Sequence, residues 1–313
     1  MFALRGIAVS LTFFVLFYCL LSALVAIVWR SLKVLHATEQ SLAALLFALR
    51  IFPLAASVVI TFAFVVPSFQ LLEPRSIDEG MGVIPLTLGV CALLLIASGS
   101  FRVIAAQIGT SRVVARWLEG AHPLDAGAQT VTFRSRREAP PLTLVGVRRP
   151  RVLVSESTVA LLSRDELHIA LKHELAHMQS RDNLKKLVFR LCPFPGMGKL
   201  ESAWSQAAEL AADDAAVSNV DDAVDLAAAL VKLSRLLPVE SAPFCTVGFV
   251  TGSISARVAR LLAWNEAEAG KAQPMRIRLW CAIPPVLVVL LFVFATYGQA
   301  LALTHEVTEW LVR

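Results

Sequence analysis

Five consecutive residues, HELAH at 173–177, have types and a spacing that suit metal-dependent hydrolysis. His173 and His177 are four positions apart, and residues at this spacing lie on one face of an α-helix. Two imidazoles on one face can bind a single metal ion. Glu174 projects from nearly the same face and can act as the general base toward a water molecule at that metal. We therefore predict a zinc site with His173 and His177 as ligands and Glu174 as the catalytic base.

The residues that precede the motif predict the helix that it needs. Ser163 and Glu166 have the spacing of a capping box, with Ser163 at the N-cap and Glu166 at N3. The apolar positions of a buried helix then follow, at Leu167, Ile169, Ala170 and Leu171. The sequence predicts a helix over 164–179.

A third ligand is predicted in the Ala-rich stretch 202–217, which contains no Gly or Pro and favours a helix. One helix, a turn and an antiparallel helix fit between the motif and this stretch, so Glu209 can face the metal. Asp213, one turn later, can accept the free ring N–H of a ligand histidine and fix its tautomer. The alternative is a solvated carboxylate face. With the upstream motif present, we predict one Zn²⁺ held by His173, His177 and Glu209, and its open fourth position is typical of catalytic zinc.

The order of these motifs resembles a known family. HELAH at 173–177, Arg181-Asp182-Asn183 and ELAAD at 209–213 together resemble the membrane metallopeptidases of the BlaR/MecR antirepressor type, which are gluzincins. Residues 145–154 are similar to the strand pair before the active helix of that family. The resemblance covers residues 1–304 and implies a zincin-like fold and a protein substrate such as a cytosolic transcriptional repressor. Asp182 is predicted to cap or bridge the helix junction rather than to bind the metal.

Composition indicates a membrane protein. Apolar residues make up 57% of the chain, charged residues make up 17%, and the mean hydropathy is +0.67, which excludes an ordinary soluble domain. A cleaved signal peptide is the alternative for the first apolar stretch. That stretch is too long and lacks a convincing cleavage site, so a retained anchor is predicted. Four uncharged stretches are long enough to cross a bilayer, at 6–29, 51–72, 81–101 and 279–304.

Charge asymmetry predicts the orientation of these spans. Arg30, Lys33 and Arg50 lie between spans one and two, whereas the connection between spans two and three is net acidic. The positive-inside rule then places the first connection and the central region in the cytoplasm. It places both termini on the extracytoplasmic side of the cell (inner) membrane. The net charge of +5 is explained by juxtamembrane cations that favour the lipid bilayer, so no nucleic-acid partner is expected. The predicted regions are a three-span part (1–101), a cytoplasmic metallopeptidase domain (102–278), a fourth span (279–304) and a short tail (305–313).

The central region is predicted to be a mostly helical α+β domain, inserted between the third and fourth transmembrane helices, with its strands first. An edge strand in a zincin-like site can hold an extended substrate by main-chain hydrogen bonds. The strand at 142–147 is predicted either to do this or to be purely structural, and the sequence leaves both open. His122 is predicted to lie in a loop. Arg257 is one candidate for an oxyanion donor, but a solvated helix arginine is favoured. Strands are predicted at 129–133, 142–147 and 151–154, and helices at 164–179, 182–191, 199–217, 222–236 and 253–265.

The leading prediction is an integral-membrane zinc endopeptidase that cleaves protein substrates at the cytoplasmic face, in regulatory signalling such as repressor cleavage. Few residues follow Thr304 and no Ser-x-x-Lys occurs, so a penicillin-binding sensor domain and direct antibiotic sensing are not expected. One alternative is a quality-control protease of the HtpX type, although those proteins usually have further spans between the two halves of the site. The other is a non-catalytic membrane scaffold, against which the intact site residues argue.

Overall fold

The computed structural model of the protein describes residues 2–32, 38–74, 82–124, 132–135, 140–236, 247–248, 254–265 and 295–310. These residues are mostly helical, with one small mixed sheet. Most of the predicted fourth span lies outside the described residues. The part of it that is described belongs to a helix over 295–310, which we call the C-terminal helix.

Long apolar helices form the N-terminal part of the chain. Three of the four predicted spans are confirmed as helical segments long and apolar enough to cross a membrane: Phe2–Ser31, Glu39–Leu72 and Val83–Leu118. The second segment begins about three turns before the predicted span and contains a π-helical turn. The helices are α1 (Phe2–Leu32), α2 (Glu39–Ile60), the π-helical turn (Thr61–Val65), α3 (Val66–Leu72) and α4 (Val83–Leu118).

A five-stranded sheet follows α4, in the order β1-β2-β4-β3-β5. Strands β2 and β4 are parallel, and the other neighbours are antiparallel. The loop predicted at His122 is wrong, because His122 pairs with Arg134 of β2 in an edge strand, where Pro123 is tolerated. The strands are β1 (His122–Leu124), β2 (Thr132–Ser135), β3 (Leu142–Val145), β4 (Arg151–Ser155) and β5 (Val247–Gly248).

Strand β3 is not a free edge over its whole length. Thr143 pairs with Gly248 and Leu144 pairs with Val247, so β5 covers this part of the strand predicted to hold a substrate. This pairing could not be predicted, because two residues separated from β3 by about a hundred positions carry no local strand pattern. Because these two positions of β3 are already paired with β5, a substrate strand could not pair with them there.

The helices predicted in the central region are confirmed to within a few residues at each end, and the short helix α5 was not predicted. The capping box is present: the Glu166 N–H donates to Ser163 Oγ at 3.1 Å, and the Ser163 N–H donates to Glu166 Oε2 at 2.8 Å. The helices are α5 (Glu156–Leu161), α6 (Arg164–Gln179), α7 (Asp182–Leu191), α8 (Gly198–Ala216), α9 (Val220–Ser234) and α10 (Ile254–Leu262).

The central helices pack directly on the long N-terminal helices. Leu46 of α2 and Trp204 of α8 lie in one buried apolar cluster. Arg50, predicted only as a juxtamembrane cation, is buried; its Nε donates to Glu201 Oε1 at 2.9 Å, and its Nη2 donates to the Cys192 carbonyl at 2.5 Å. Helix α8 is therefore fixed to α2 by both apolar packing and a buried cation, which sets the position of the residues that α8 carries.

Candidate metal centre

Helices α6 and α8 bring three predicted ligands to one point. The Nε2 atoms of His173 and His177 are 3.1 Å apart. Glu209 Oε2 is 3.6 Å from His173 Nε2, and Glu209 Oε1 is 3.7 Å from His177 Nε2. All three side chains are buried, and their donor atoms lie within 4.8 Å of one another. This group, which we call the buried cluster, could bind a metal ion, and two imidazoles with one carboxylate are a donor set that suits zinc with an open position.

Each histidine of the buried cluster has a carboxylate behind it. His173 Nδ1 is 2.9 Å from Asp213 Oδ1, as expected for Asp213. His177 Nδ1 is 2.7 Å from Asp182 Oδ2, a contact that the sequence analysis missed when it assigned Asp182 to the helix junction alone. Because each Nδ1–H can donate to a carboxylate, both rings present Nε2 to the cluster, which is the tautomer that a metal ligand needs.

Each residue of the triplet Arg181-Asp182-Asn183 has a different structural role. Arg181 adopts a left-handed conformation with φ of 55°, which turns the chain sharply between α6 and α7. The turn directs Asp182 back to His177. Asn183 Nδ2 donates to the carbonyls of Leu144 and Gly146, both at 3.1 Å, and so ties β3 to the helix pair. The role of Asn183 was not predicted, because the resemblance marks the triplet but not its contacts.

Arg257 of α10 is part of the site, and the prediction of a solvated arginine is wrong. Its side chain is 4% exposed. The guanidinium donates from Nε to Asp213 Oδ2 at 2.8 Å and from Nη2 to Asp213 Oδ1 at 2.6 Å. Its Nη1 donates to Glu209 Oε2 at 2.9 Å. A planar guanidinium can bind one carboxylate with two N–H groups and still reach a second, so Arg257 fixes a predicted ligand and its supporting residue together.

Glu174 lies beside the buried cluster and is completely buried. Both of its carboxylate oxygens are buried without a side-chain hydrogen-bond partner among the described residues, and the Leu144 backbone is close enough to oppose the effect of burial on its pKa. Burial raises the pKa of Glu174 to about 8, and the charge of Glu209 adds to this while His173 opposes it. A carboxylate left without a side-chain partner in such a place is free to exchange a proton near neutral pH.

The electrostatics of the site favour a cation. Burial would raise the pKa of Asp213, but hydrogen bonds from His173 and Arg257 outweigh it and lower that pKa to about 2. Burial would likewise lower the pKa of His173, but Asp213 and Glu209 outweigh it and raise that pKa to about 9. The two carboxylates therefore favour positive charge at His173, and a bound divalent cation would supply it.

An open space adjoins one side of the buried cluster. A cavity of about 300 Å³ is bounded by His177, by Leu144 and Gly146 of the β3–β4 hairpin, and by Arg181 and Asn183. Leu144 and Gly146, whose carbonyls accept from Asn183, both border this cavity. A segment that enters it would meet these residues and one predicted metal ligand.

A scan against protein-family models finds no match to this chain, and a search of curated proteins finds no significant relative. The resemblance to BlaR/MecR-type metallopeptidases therefore stays a prediction that depends on the motif residues. The fold and the site define a mostly helical protein with three candidate membrane helices and a buried His-His-Glu group that could bind a metal ion.

Proposed function

We propose that this protein is an integral-membrane zinc-dependent endopeptidase of the zincin-like, BlaR/MecR-type class. One observation carries the proposal: Glu174, fully buried and without a side-chain hydrogen-bond partner among the described residues, lies beside the buried cluster. A structural metal site has no need of a buried carboxylate that no other side chain satisfies, because burying it costs free energy. A hydrolytic site needs such a group as its general base.

The roles of the residues follow from their contacts. His173, His177 and Glu209 would hold the zinc ion. Bound zinc lowers the pKa of a coordinated water molecule and polarises a carbonyl group. Glu174 accepts a proton from the attacking water and later donates it to the leaving amine. Burial raises the pKa of Glu174 to about 8, a direction that favours proton exchange near neutral pH and supports this role.

The remaining residues hold this arrangement rigid. Asp213 and Asp182 would fix the histidine tautomers, and Arg257 restrains Glu209 through its Oε2 atom. Pre-organised groups of this kind reduce the reorganisation that a reaction requires. No oxyanion donor is assigned, because the described contacts of the Arg257 guanidinium are directed at carboxylates.

The substrate class in this proposal is protein, and the site would act at the cytoplasmic face. Packing of α8 on α2 supports a catalytic domain held close to the bilayer. The cations between the first two spans support the orientation through the positive-inside rule. A cytosolic regulator such as a transcriptional repressor is the proposed substrate.

The test compares newly formed protein N-termini in cells that express wild type or Glu174→Gln. The variant should keep zinc, measured by metal analysis of the purified protein, and should lose cleavage. His168→Ala is the matched control, because His168 is an exposed histidine on the same helix. One or a few cytosolic regulators cut by wild type and His168→Ala alone would support the proposal. Many cut membrane proteins would favour the HtpX-type alternative, and identical profiles under several membrane stresses would overturn the peptidase proposal.

A further inference from the structure

A second group of histidine and glutamate side chains lies near the beginning of α1. Glu73 is the C-cap residue of α3, and His305 and Glu309 are one turn apart on the C-terminal helix. One donor atom from each residue lies within 4.8 Å of the other two. We call this group the bundle-end cluster. Arg5 of α1 contacts it, whereas Trp29 of α1 packs with the central domain, and these two residues are about 36 Å apart along the helix.

The distances in the bundle-end cluster do not fit hydrogen bonds. His305 Nδ1 is 3.8 Å from Glu73 Oε2, and His305 Nε2 is 3.6 Å from Glu309 Oε1. Both separations are longer than a hydrogen bond. An imidazole binds one ion through one nitrogen, and one donor atom from each of the three residues lies within 4.8 Å of the other two. Zinc ligands at about 2.0–2.2 Å in tetrahedral geometry are about 3.4 Å apart, so a small approach of these side chains would bring them to one cation. In the buried cluster the histidine-to-glutamate separations of 3.6 and 3.7 Å both involve Nε2.

A buried nitrogen of His305 is a second, independent observation that favours a bound cation. Its Nδ1 is buried and has no hydrogen-bond partner among the described residues. Burying a polar atom without a partner costs free energy. A cation coordinated by a ring nitrogen of His305 and by the neighbouring carboxylates would supply the interaction that the protein side chains leave unmade.

The arginine at this cluster also parallels the buried one. Arg5 Nη2 donates to Glu73 Oε1 at 3.2 Å and leaves Oε2 on the side of His305. Glu73 and Glu309 contribute two carboxylates to the cluster, and carboxylate oxygens are ligands for a divalent cation. Mixed nitrogen and oxygen donors favour zinc or a similar transition metal over calcium or magnesium.

We propose that Glu73, His305 and Glu309 bind a divalent cation, with Zn²⁺ as the chemical class that fits best, and that the ion joins the C-terminal helix to α3 and α1. The helix is already seated on the second span. Tyr297 Oη donates to the Ala63 carbonyl at 2.7 Å, and Ser68 Oγ donates to the Leu301 carbonyl at 3.0 Å. These hydrogen bonds already hold the C-terminal helix against the second span. The ion would add a contact at the end of this interface, so binding should not require the helices to rearrange.

The test is a metal titration of the full-length, tag-free protein in lipid nanodiscs. After removal of metal with a chelator, Zn²⁺ binding is followed by calorimetry, and Co²⁺ absorption reports the donors. Wild type should bind two equivalents, one per cluster. His305→Ala should bind one equivalent, and the exposed-histidine control His168→Ala should bind two.

Two further variants keep the proposal falsifiable. The double variant His173→Ala and His177→Ala removes the buried cluster and should still bind one equivalent, whether or not the protein is a peptidase. Glu309→Gln changes a half-exposed side chain and should weaken one class of sites at least about tenfold. The proposal is overturned if wild type and His305→Ala bind the same number of ions. It is also overturned if the double variant, folded by circular dichroism, binds none, or if Glu309→Gln leaves both affinities unchanged.

Discussion

The buried cluster and the bundle-end cluster combine the same ligand types in different surroundings. In both, one donor atom from each of three histidine and glutamate residues lies within 4.8 Å of the other two, and an arginine binds a glutamate. In the buried cluster, both histidines present Nε2 to Glu209, their Nδ1 atoms are next to carboxylates, and Glu174 lies beside the cluster. The bundle-end cluster has one histidine, whose two nitrogens lie nearest different glutamates, and its Glu309 side chain is 46% exposed. The ligand types therefore favour a cation at both places, and the surrounding groups decide whether chemistry can follow.

The two clusters also differ in how they are held. The buried cluster is built from the C-terminal half of α6 and from α8, and α7 and α10 each contribute a residue that fixes a ligand. The bundle-end cluster joins the end of α3 to the C-terminal helix. Catalysis requires groups held to within a fraction of an ångström, whereas ion binding tolerates looser ligands. The comparison leads to five predictions.

The largest effect is expected for Glu174→Gln. Loss of the general base should lower the rate of peptide cleavage by about 10²- to 10⁴-fold while zinc is retained, because Glu174 is not a predicted ligand. The matched change at the other cluster, Glu309→Gln, should leave the cleavage rate within about twofold of wild type. Initial rates on a cleaved regulator, with metal content measured in parallel, test both. Equal losses for the two variants would mean that the clusters work as one unit.

Arg257→Gln should cause the largest loss of stability. Removal of one partner from a buried charge network leaves Glu209 and Asp213 without their counter-charge, which typically costs about 3–5 kcal/mol. Denaturant unfolding of the metal-free protein in mild detergent measures this difference. Arg257→Lys should recover only part of it, because an ammonium cannot bind Asp213 with two N–H groups and still reach Glu209. Full recovery by lysine would contradict the assigned geometry.

The pH dependence of stability should reveal the buried carboxyl of Glu174. In the unfolded chain this group ionises near its ordinary pKa of 4.5, but burial raises the folded pKa to about 8. A raised folded pKa gives stability that is complete below the unfolded value and is lost as the pH rises toward the folded value. Metal-free wild type should therefore lose stability relative to metal-free Glu174→Gln between about pH 4.5 and 8. Melting temperatures across this range test it, and parallel curves would show that the carboxyl is not buried as described.

Asp182→Asn and Asp213→Asn should weaken zinc binding at the buried cluster by about 10- to 100-fold each. Each change removes the charged acceptor that orients one ligand histidine. The two effects should be similar in size, because the two contacts are alike, although only Asp213 also binds Arg257. Competition with a chromophoric chelator measures the affinity. A change in the affinity of the bundle-end cluster would contradict the separation of the two sites.

The smallest effect is expected for Arg260→Gln, the control for Arg257 on the same helix. Arg260 pairs with Asp214, but both side chains are about 40% exposed, at 39% and 41%. Exposed ion pairs contribute about 0.2–1 kcal/mol. Unfolding measured under the conditions used for Arg257→Gln should show a loss in this range, with zinc affinity unchanged. A loss as large as that of Arg257→Gln would mean that α10 is stabilised by its packing rather than by the buried guanidinium.

The sequence by itself determined the features that depend on local spacing. The capping box at Ser163 and Glu166 and the apolar positions after it fixed the start of α6, because both act within one or two helical turns. The four-residue spacing placed His173 and His177 on one face for the same reason. The three N-terminal helices that are long and apolar enough to cross a membrane were predictable because crossing a bilayer requires a long apolar stretch.

Only the tertiary structure decided which polar residues meet across the fold. Amphipathic periodicity predicts that α10 buries one face, but it does not identify Asp213 and Glu209 as partners of Arg257, 44 and 48 residues away. The pairing of β5 with β3 and the meeting of Glu73 with His305 involve still larger separations. Such contacts depend on how whole elements pack, and the free energy of that packing is spread over many apolar residues that do not specify the polar pairs in advance.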